Sequence, residues 1–210
     1  PNADDAGSLE HLVRAATVAD VDLLIRLPST DPSVVRKVLD TGVRTVLVPR
    51  VETAADVRPA ARAAFYDYDG EPGERGVAHA RGSSWGAAID TEREDESVLV
   101  GAMIENRTAV ENVEEILSVP GLGFVYLGPG DLAVSLGHAG ERDHPEVEEA
   151  IDAAREACVE AGVPVGVSTT SAEGAREALD AGYRLVRLGD EMEAVRKAVS
   201  DRLDAVTESG

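Results

Sequence analysis

The sequence predicts an α/β protein in which parallel strands alternate with helices, as in a (β/α)8 TIM barrel. Six runs rich in Val, Ile and Leu are continuously apolar rather than alternating, which is typical of strands covered on both faces. Amphipathic helical patterns separate these runs, and repeated strand–helix units imply parallel strands with right-handed crossovers. The runs lie at 21–26, 44–50, 97–105, 123–128, 163–168 and 183–189.

A barrel fits the sequence better than a doubly wound nucleotide-binding sheet. That sheet carries a glycine-rich fingerprint after its first strand, and none follows residue 26. A closed barrel of this type needs eight strands, so six visible units leave two unaccounted for. We therefore expect one barrel domain over residues 1–210, with six of eight β/α units visible and the amino-terminal units absent.

Start and stop signals mark the predicted helices. One helical pattern precedes the first strand. In DPSVVRKVLDTG, Asp31 is a candidate N-cap, Pro32 takes the first helical position and Gly42 follows the last turn. The helix HPEVEEAIDAAREACVEAG begins at Pro145 and stops at Gly162 in the same way. The sequences TAVENVEEILSVPG, SAEGAREALDAG and DEMEAVRKAVSDRLDAV predict the remaining helices.

The segment 66–95 shows no helical or strand period. Structureless stretches of this length are uncommon inside a compact domain and are usually functional or disordered. The segment contains the single Trp of the chain, one histidine and two Arg-Gly pairs. We expect an ordered loop that lies near a site or a subunit interface.

Composition excludes several functional classes. The chain has 40 acidic and 20 basic residues, and a net charge of −20 repels nucleic acid and anionic membranes. The acidic residues are spread over predicted helix faces and lysines are rare, which favours a halophilic protein. The single cysteine, Cys158, excludes a disulfide framework and fits a cytoplasmic protein. No apolar run is long enough to span a membrane.

Polar residues at the ends of predicted strands indicate a ligand site, because barrels bind ligands at the carboxyl edge of the sheet. Arg26 and Glu105 each close a strand, and Asp131 follows the next strand in YLGPGD. Two carboxylates from successive strands suit Mg²⁺ or Mn²⁺. Alternatively, Glu105 pairs with Arg26 or Arg107 while Asp131 caps a helix. Spacing alone leaves both interpretations open.

The GPGD stretch adds backbone donors to this edge. Gly130 and Asp131 open a predicted helix, whose exposed N–H groups hold a carboxylate well. Glycines there let a ligand approach the backbone closely. A metal, a helix N-terminus and Arg26 together suit a 2-oxo acid, whose enolate oxygen the arginine would stabilise.

The ordered motifs resemble the HpcH/HpaI aldolase family over nearly the whole chain. They are LLIRLPSTDP, VLDTGVRTVLVPRVETAADV, RGV in the long segment, IENRTAVENVEEILSVPGLGFVYLGPGDLAVSLG, HPEVEEAI and VRLGDE. The resemblance implies an eight-stranded barrel lyase of class II, which cleaves 4-hydroxy-2-oxo acids to pyruvate and an aldehyde with Mg²⁺, Mn²⁺ or Co²⁺. It also implies a homo-oligomer, a hexamer or trimer of dimers whose subunits exchange the last helix.

The resemblance also assigns roles to individual residues. Glu105 and Asp131 match the metal ligands, and Arg26 matches the arginine that stabilises the enolate. Asp40, in VLDTG, matches the aspartate that orients the catalytic histidine.

The implied substrate-binding stretch is Gly128, Pro129, Gly130 and Asp131, with the last two N–H groups on the pyruvate carboxylate. One departure from the family pattern lies nearby. Members with this pattern carry Gln two positions before the metal-binding Glu, where this chain has Met103. Methionine donates no hydrogen bond, so we expect a different acid or weaker binding of pyruvate.

A second departure concerns the general base. In the family it is a histidine in an Asp-Gly-Glu-His run just before Pro-Asn, and this sequence begins with Pro1-Asn2. We therefore expect that the segment with this histidine and two strands is absent here. Among the other histidines, His79 is the one candidate for a substitute base, and surface or capping positions are expected for His11, His138 and His144.

Two alternatives to the aldolase remain. An acyl-CoA lyase of the citrate lyase β-subunit type also uses paired carboxylates and Mg²⁺, although an acidic surface suits CoA phosphates poorly. The other alternative is a non-catalytic truncated homologue. An open six-stranded barrel exposes sheet edges, which favours a longer native protein or a partner that covers them.

Overall fold

The computed structural model describes residues 6–77, 80–86 and 89–207. The strands in this part of the chain are β1 (Leu24–Arg26), β2 (Thr45–Val48), β3 (Asp67–Tyr68), β4 (Glu71–Pro72), β5 (Leu99–Ile104), β6 (Leu122–Leu127), β7 (Val165–Thr169) and β8 (Leu185–Leu188).

Helices follow most of the strands. They are α1 (Ala6–Ala19), α2 (Pro32–Asp40), α3 (Ala54–Ala64), α4 (Thr91–Glu96), α5 (Arg107–Glu111), α6 (Val113–Leu117), α7 (Pro129–Leu136), α8 (Pro145–Glu160), α9 (Ala172–Asp180) and α10 (Glu191–Thr207), with a 3₁₀ helix at Arg81–Gly86. None of these helices is long and apolar enough to cross a membrane.

Six strands pair in parallel, in the order β1–β2–β5–β6–β7–β8, and β3 and β4 form a separate antiparallel hairpin. All six strands predicted from the sequence are present, and the α/β class with a parallel sheet is confirmed. The sheet curls into a half barrel with β1 and β8 at its edges. Closure into eight strands is not seen in the described residues.

Both faces of the central strands are apolar, which explains their unbroken apolar sequences. Successive strand residues point to opposite faces. One face packs against the helices in the main core through Val46, Val48, Val100, Ala102, Ile104, Val125 and Leu127. The concave face carries a separate cluster of Leu47, Met103, Phe124 and Tyr126, with Leu185 beside it.

The predicted caps of two helices are confirmed. Asp31 caps α2 by accepting a hydrogen bond from the N–H of Ser33 at 2.8 Å. Gly42 follows the last turn of α2 with a φ of 100°, a conformation that favours glycine. His144 caps α8, and Gly162 follows its last turn with a φ of 71°.

The sequence TAVENVEEILSVPG differs from the single helix that we predicted. It forms the short helices α5 and α6, with a break at Asn112 (φ −103°, ψ 14°). The Asn112 side chain donates to the carbonyl of Glu52 at 3.1 Å. Asparagine competes with the helix by bonding nearby backbone, so this tie to the β2–α3 loop accompanies the break.

The segment 66–95 contains the β3–β4 hairpin, the 3₁₀ helix and α4. Arg75 holds part of it together: its guanidinium lies 4.8 Å from the ring centre of Tyr66 and 3.1 Å from the carboxylate of Glu94. The segment packs on the end of α2, since a side chain at Gly82 would meet the Leu39 carbonyl. His79 lies outside the described residues.

Gly101 tests the packing of the concave face. A side chain at this position would begin 2.2 Å from the tip of the Phe124 ring, which is 5% exposed and has little room to move. We expect Gly101→Ala to lower the free energy of unfolding by about 1–3 kcal/mol, measured by urea denaturation. Gly76→Ala is the control, because no described residue beyond its chain neighbours lies within 4 Å of its added carbon. Equal stability of the two variants would contradict this packing.

Candidate active site

The alternation of the strands brings Arg26 and Glu105 to the same face of the sheet. Ile25 and Ile104 belong to the helix-facing core, so the residue that follows each one turns to the concave side. Both residues stand at the carboxyl edge, and Asp131 joins them from the first turn of α7. The three line one cavity of about 340 Å³, together with Leu27, Pro28, Pro49 and Arg50.

Glu105 is a buried carboxylate, and one of its two oxygens accepts a hydrogen bond from the described residues. The residue is 7% exposed, and its Oε1 accepts a hydrogen bond from the N–H of Arg50 at 2.8 Å. Oε2 is buried and receives no donor from the described residues. Burial raises the pKa of Glu105, the Arg50 N–H and the Arg26 guanidinium oppose this rise, and the neighbouring Asp131 adds to it.

The Arg50 main chain reaches Glu105 because the loop after β2 is bent and held. Arg50 has a φ of 53°, in the left-handed region that non-glycine residues rarely adopt. Asn106, next to Glu105, donates from its side chain to the carbonyl of Val51 at 2.9 Å. From the sequence, the Arg50–Glu52 stretch faces the site or forms an internal ion pair. Arg50 lines the smaller cavity, so the stretch faces the site. It contacts Glu105 through its main-chain N–H, which no residue pattern indicates.

The start of α7 forms a second wall. Gly128 precedes the helix, and its N–H donates to the carbonyl of Ile104 at 2.9 Å. A side chain on Gly128 would begin 2.9 Å from the Glu105 Cβ, so glycine permits the two strand ends to meet. Pro129 takes the first helical position. The N–H groups of Gly130 and Asp131 fall in the first turn, where a helix offers no internal acceptor.

A larger cavity, of about 980 Å³, adjoins the first. Its wall includes Gly128, Pro129, Gly130 and Asp131, so Asp131 borders both cavities. Other lining residues come from the concave cluster and from the ends of β7 and β8; they include Met103, Tyr126, Ser168 and Arg187. The Tyr126 hydroxyl lies 2.6 Å from the Ser168 hydroxyl.

Arg142 is a residue of this region that the sequence did not indicate. It lies in the α7–α8 connection and lines the larger cavity. Its Nε is 3.3 Å from the point where a side chain on Gly130 would begin. A cationic group thus stands over the first turn of α7, beside Asp131. An arginine in a loop between two helices carries no sequence signal of this position.

Asp40 is not brought to either cavity. It ends α2, at the amino-terminal edge of the sheet, whereas Arg26, Glu105 and Asp131 stand at the carboxyl edge. Burial raises the pKa of Asp40, and the nearby Arg75 and Arg36 oppose this rise. Within the described chain, nothing in its position supports the catalytic role that the resemblance implied.

The predicted positions of His11, His138 and His144 can be compared with the structure. His11 lies on α1, with its Nδ1 3.4 Å from Arg14, and His138 and His144 flank the α7–α8 connection, as expected. None of the described residues that line the two cavities is a histidine.

The sequence profile of one protein family, the HpcH/HpaI aldolase/citrate lyase family, matches residues 4–198. A hydroxypyruvate/pyruvate aldolase from Cupriavidus necator is 36% identical over 187 residues, which are 89% of this chain and 69% of that protein. A 4-hydroxy-2-oxo-heptane-1,7-dioate aldolase from Shigella sonnei is 36% identical over 167 residues, which are 79% of this chain and 63% of that one.

The fold agrees with these relatives. The crystal structure of a family protein from Burkholderia cenocepacia J2315 superposes with a TM-score of 0.90 at 32% identity, covering 97% of this chain and 81% of that one. With a profile match over most of its length and relatives above 30% identity, this chain belongs to the HpcH/HpaI aldolase/citrate lyase family.

Proposed function

We propose that this protein is a divalent-metal-dependent aldolase that reversibly cleaves a 4-hydroxy-2-oxo acid to pyruvate and an aldehyde. One observation carries the proposal: the buried Glu105 carboxylate, with an oxygen that receives no donor from the described residues, shares a cavity with Asp131 and Arg26. The names of the relatives point to the same chemistry. The expected intermediate is the enolate of pyruvate.

The residues present fit a hard divalent cation. Two neighbouring carboxylates repel each other when ionised, and within the described part of the chain no donor offsets the charge of the buried Glu105 oxygen. Oxygen ligands of this kind suit Mg²⁺ or Mn²⁺, with Co²⁺ as a further candidate. Glu105 and Asp131 would hold the cation. When bound, the metal would polarise the carboxylate and keto oxygens of the substrate.

The remaining groups of the site bind and stabilise the anionic substrate. The N–H groups of Gly130 and Asp131 lie at the positive end of α7 and would receive the carboxylate of pyruvate. Arg26, across the cavity, would stabilise the negative charge that develops on the keto oxygen as the enolate forms. Gly128 and Pro129 would leave room for the substrate beside Glu105.

Proton transfer needs a base that we do not assign to the described lining residues. The carboxylates there serve as ligands, and Arg26 holds its proton. We infer that the proton acceptor comes from outside the described residues, and His79 belongs to that remainder. The chain would thus supply substrate binding and charge stabilisation, to which a base typically adds about 10²–10⁴-fold in rate.

We also infer that the functional unit is a closed (β/α)8 barrel within a homo-oligomer. Two further strands between β8 and β1 would close the sheet. Every residue of α10 is exposed, yet one of its faces is apolar. Residues three or four positions apart form that face: Met192, Val195, Val199, Leu203 and Val206. Such a stripe is typical of a helix that packs against a partner. The acidic surface fits a cytoplasmic, salt-adapted protein.

An acyl-CoA lyase of the citrate lyase type is the alternative within the same family. Met103, where aldolases with this pattern carry Gln, is the observation in its favour. Two relatives that share 36% identity with this chain are named aldolases, however, and we prefer that reaction.

Hydrogen exchange at the pyruvate methyl group tests the proposal. We expect Mn²⁺ or Mg²⁺ to support deuterium incorporation from D₂O, measured by NMR in high salt, and a chelator to abolish it. Glu105→Gln and Asp131→Asn should reduce exchange to the rate of the free metal. Arg26→Gln should slow it by about 10²–10³-fold, because one charge-stabilising donor is lost.

Glu52→Gln is the matched control for these variants, since Glu52 is exposed in the loop beside the site. It should exchange pyruvate at the wild-type rate. Cleavage of a 4-hydroxy-2-oxo acid and of a malyl-CoA thioester is then compared. Turnover of the thioester alone would replace the aldolase by the acyl-CoA lyase. No exchange above free metal together with no cleavage of either substrate would contradict both.

Met103→Gln tests the departure from the family pattern. Methionine and glutamine have similar length, and the Met103 methyl group already reaches the Gly128 region, 3.2 Å from an added Cβ. The amide would donate one hydrogen bond to a 2-oxo acid. We expect its dissociation constant to fall by about 2–10-fold, measured by calorimetry with metal present. Met103→Leu, which adds no donor, should leave affinity unchanged; equal tightening in both variants would exclude the hydrogen bond.

Glu105→Gln tests whether the site is held at a cost to stability. Without metal at neutral pH, removing the buried charge should raise the free energy of unfolding by about 1 kcal/mol. The pKa of Glu105 is raised in the folded chain, so its ionisation disfavours folding as the pH rises through that pKa. The difference should vanish well below 4.5, where the carboxyl is protonated in both states.

Urea denaturation at several pH values measures this difference. Adding Mg²⁺ or Mn²⁺ should then stabilise the wild-type protein and leave Glu105→Gln unchanged. A variant less stable than wild type without metal would mean that the ionised carboxylate stabilises the fold.

A further inference from the structure

A second group of metal-binding side chains lies on the α7–α8 connection, outside both cavities. His138 follows the end of α7, His144 caps α8, and Glu146 stands in the first turn of α8. One ligand atom of each lies within 4.8 Å of the others. His138 Nε2 is 2.8 Å from Glu146 Oε2, and the two imidazole rings stack with centres 3.4 Å apart.

We propose that His138, His144 and Glu146 form a site for a borderline transition metal such as Zn²⁺, which fixes the α7–α8 loop. Two imidazole nitrogens and one carboxylate oxygen are the ligands that zinc prefers, with water completing the set. The pair Glu105 and Asp131 offers oxygen alone and suits harder cations. The two sites therefore select different metals.

The charges of the three side chains favour a cation. A neutral imidazole ring offers one nitrogen lone pair to a metal ion. Hydrogen bonds from His138 and Arg107 lower the pKa of Glu146, and its carboxylate is ionised at neutral pH. Neutral imidazole and ionised carboxylate are the forms that bind zinc.

The three ligand atoms lie near the spacing of a zinc site: His138 Nε2 and Glu146 Oε2 are 2.8 Å apart, and all three atoms lie within 4.8 Å of one another. At zinc–ligand bonds near 2.1 Å, tetrahedral geometry separates ligand atoms by about 3.4 Å. Zinc would take the place of the His138 Nε2 proton, which leaves to solvent, and would bind both Nε2 and Glu146 Oε2. His144 would turn out of the stack to offer a nitrogen, and would give up its long 3.3 Å contact with the Glu146 N–H.

Surrounding contacts orient the carboxylate. Arg107 donates to Glu146 Oε1 at 2.9 Å, which leaves Oε2 for the metal. The N–H of Arg107 donates to the Ser135 hydroxyl at 3.0 Å, so the group connects the starts of α5 and α8 with the end of α7. Outer contacts of this kind hold a metal-binding carboxylate in place.

The loop closed by this site carries Arg142, which stands over Gly130 at the larger cavity. Both ends of the loop, at His138 and His144, would be bound to one ion. A metal here would therefore limit the movement of Arg142 relative to the first turn of α7. The site does not depend on the proposed reaction.

Zinc binding by the intact protein tests the proposal. Metal-free protein is dialysed against Zn²⁺ with saturating Mg²⁺ present, and bound zinc is measured by elemental analysis. We expect one Zn²⁺ per chain in the wild type. His138→Gln and His144→Asn should weaken its binding more than about tenfold. The introduced asparagine still caps α8 and the introduced glutamine still reaches Glu146, so both variants retain the local hydrogen bonds.

His11→Gln is the matched control, because it removes an imidazole from α1 and should bind zinc as the wild type does. Co²⁺ spectra give a second measurement: the strong visible bands of four-coordinate cobalt should appear in the wild type and in Glu105→Gln, and disappear in both loop variants. Unchanged zinc affinity in His138→Gln and His144→Asn, or loss of zinc in Glu105→Gln alone, would overturn the proposal.

Discussion

The hydrogen bond from the Arg50 N–H to Glu105 is the contact on which the site depends. It reaches across neighbouring strands and fixes one oxygen of a buried carboxylate, while the other oxygen receives no donor from any described residue. A fold that maximised stability alone would pair or exclude this charge, because an ionised carboxylate away from water is costly. A buried Glu105 carboxylate at the carboxyl edge of a parallel sheet is explained if its second oxygen binds a ligand.

The structure surrounding this contact keeps the carboxylate from relaxing. Arg50 adopts a left-handed conformation, and Asn106 holds the next residue of the same loop. On the other side, Gly128 permits α7 to start against the Glu105 side chain. A withdrawal of either wall would break hydrogen bonds of the backbone, which opposes a turn of Glu105 toward solvent. The site is therefore rigid on the two sides formed by β2 and β6, and open toward the cavities.

The fold could be predicted well from sequence because its signals are local. Unbroken apolar runs identified the strands, and Asp31 and Gly42 bounded α2 as capping rules require. The break of α5 and α6 at Asn112 was missed, because it accompanies a contact with Glu52, sixty residues away in the chain. Long-range contacts of this kind leave no periodic pattern to detect.

The location of the candidate site could also be predicted where it follows from local sequence signals, and not where it depends on long-range contacts. Strand parity and the edge rule bring Arg26, Glu105 and Asp131 to one cavity, and both can be applied to a sequence. Arg50 contributes its main chain and Arg142 comes from a loop, so neither residue type indicated its position. For Asp40, the sequence provided a motif match but no position in the fold. The residue ends α2 and therefore lies at the opposite edge of the sheet from the cavities.

The surroundings of α7 show why the α7–α8 loop matters to the site. The first turn of α7 offers its N–H groups and Asp131, while its end connects to the loop that returns Arg142 to Gly130. Any change in that loop shifts a positive charge relative to two carboxylates and a helix terminus. The contacts of Arg107 with Glu146 and Ser135 oppose such a change and begin one residue after Asn106. The elements that follow β5 and β6 are thus braced against each other behind the site, so the positions of Glu105 and Asp131 are fixed together.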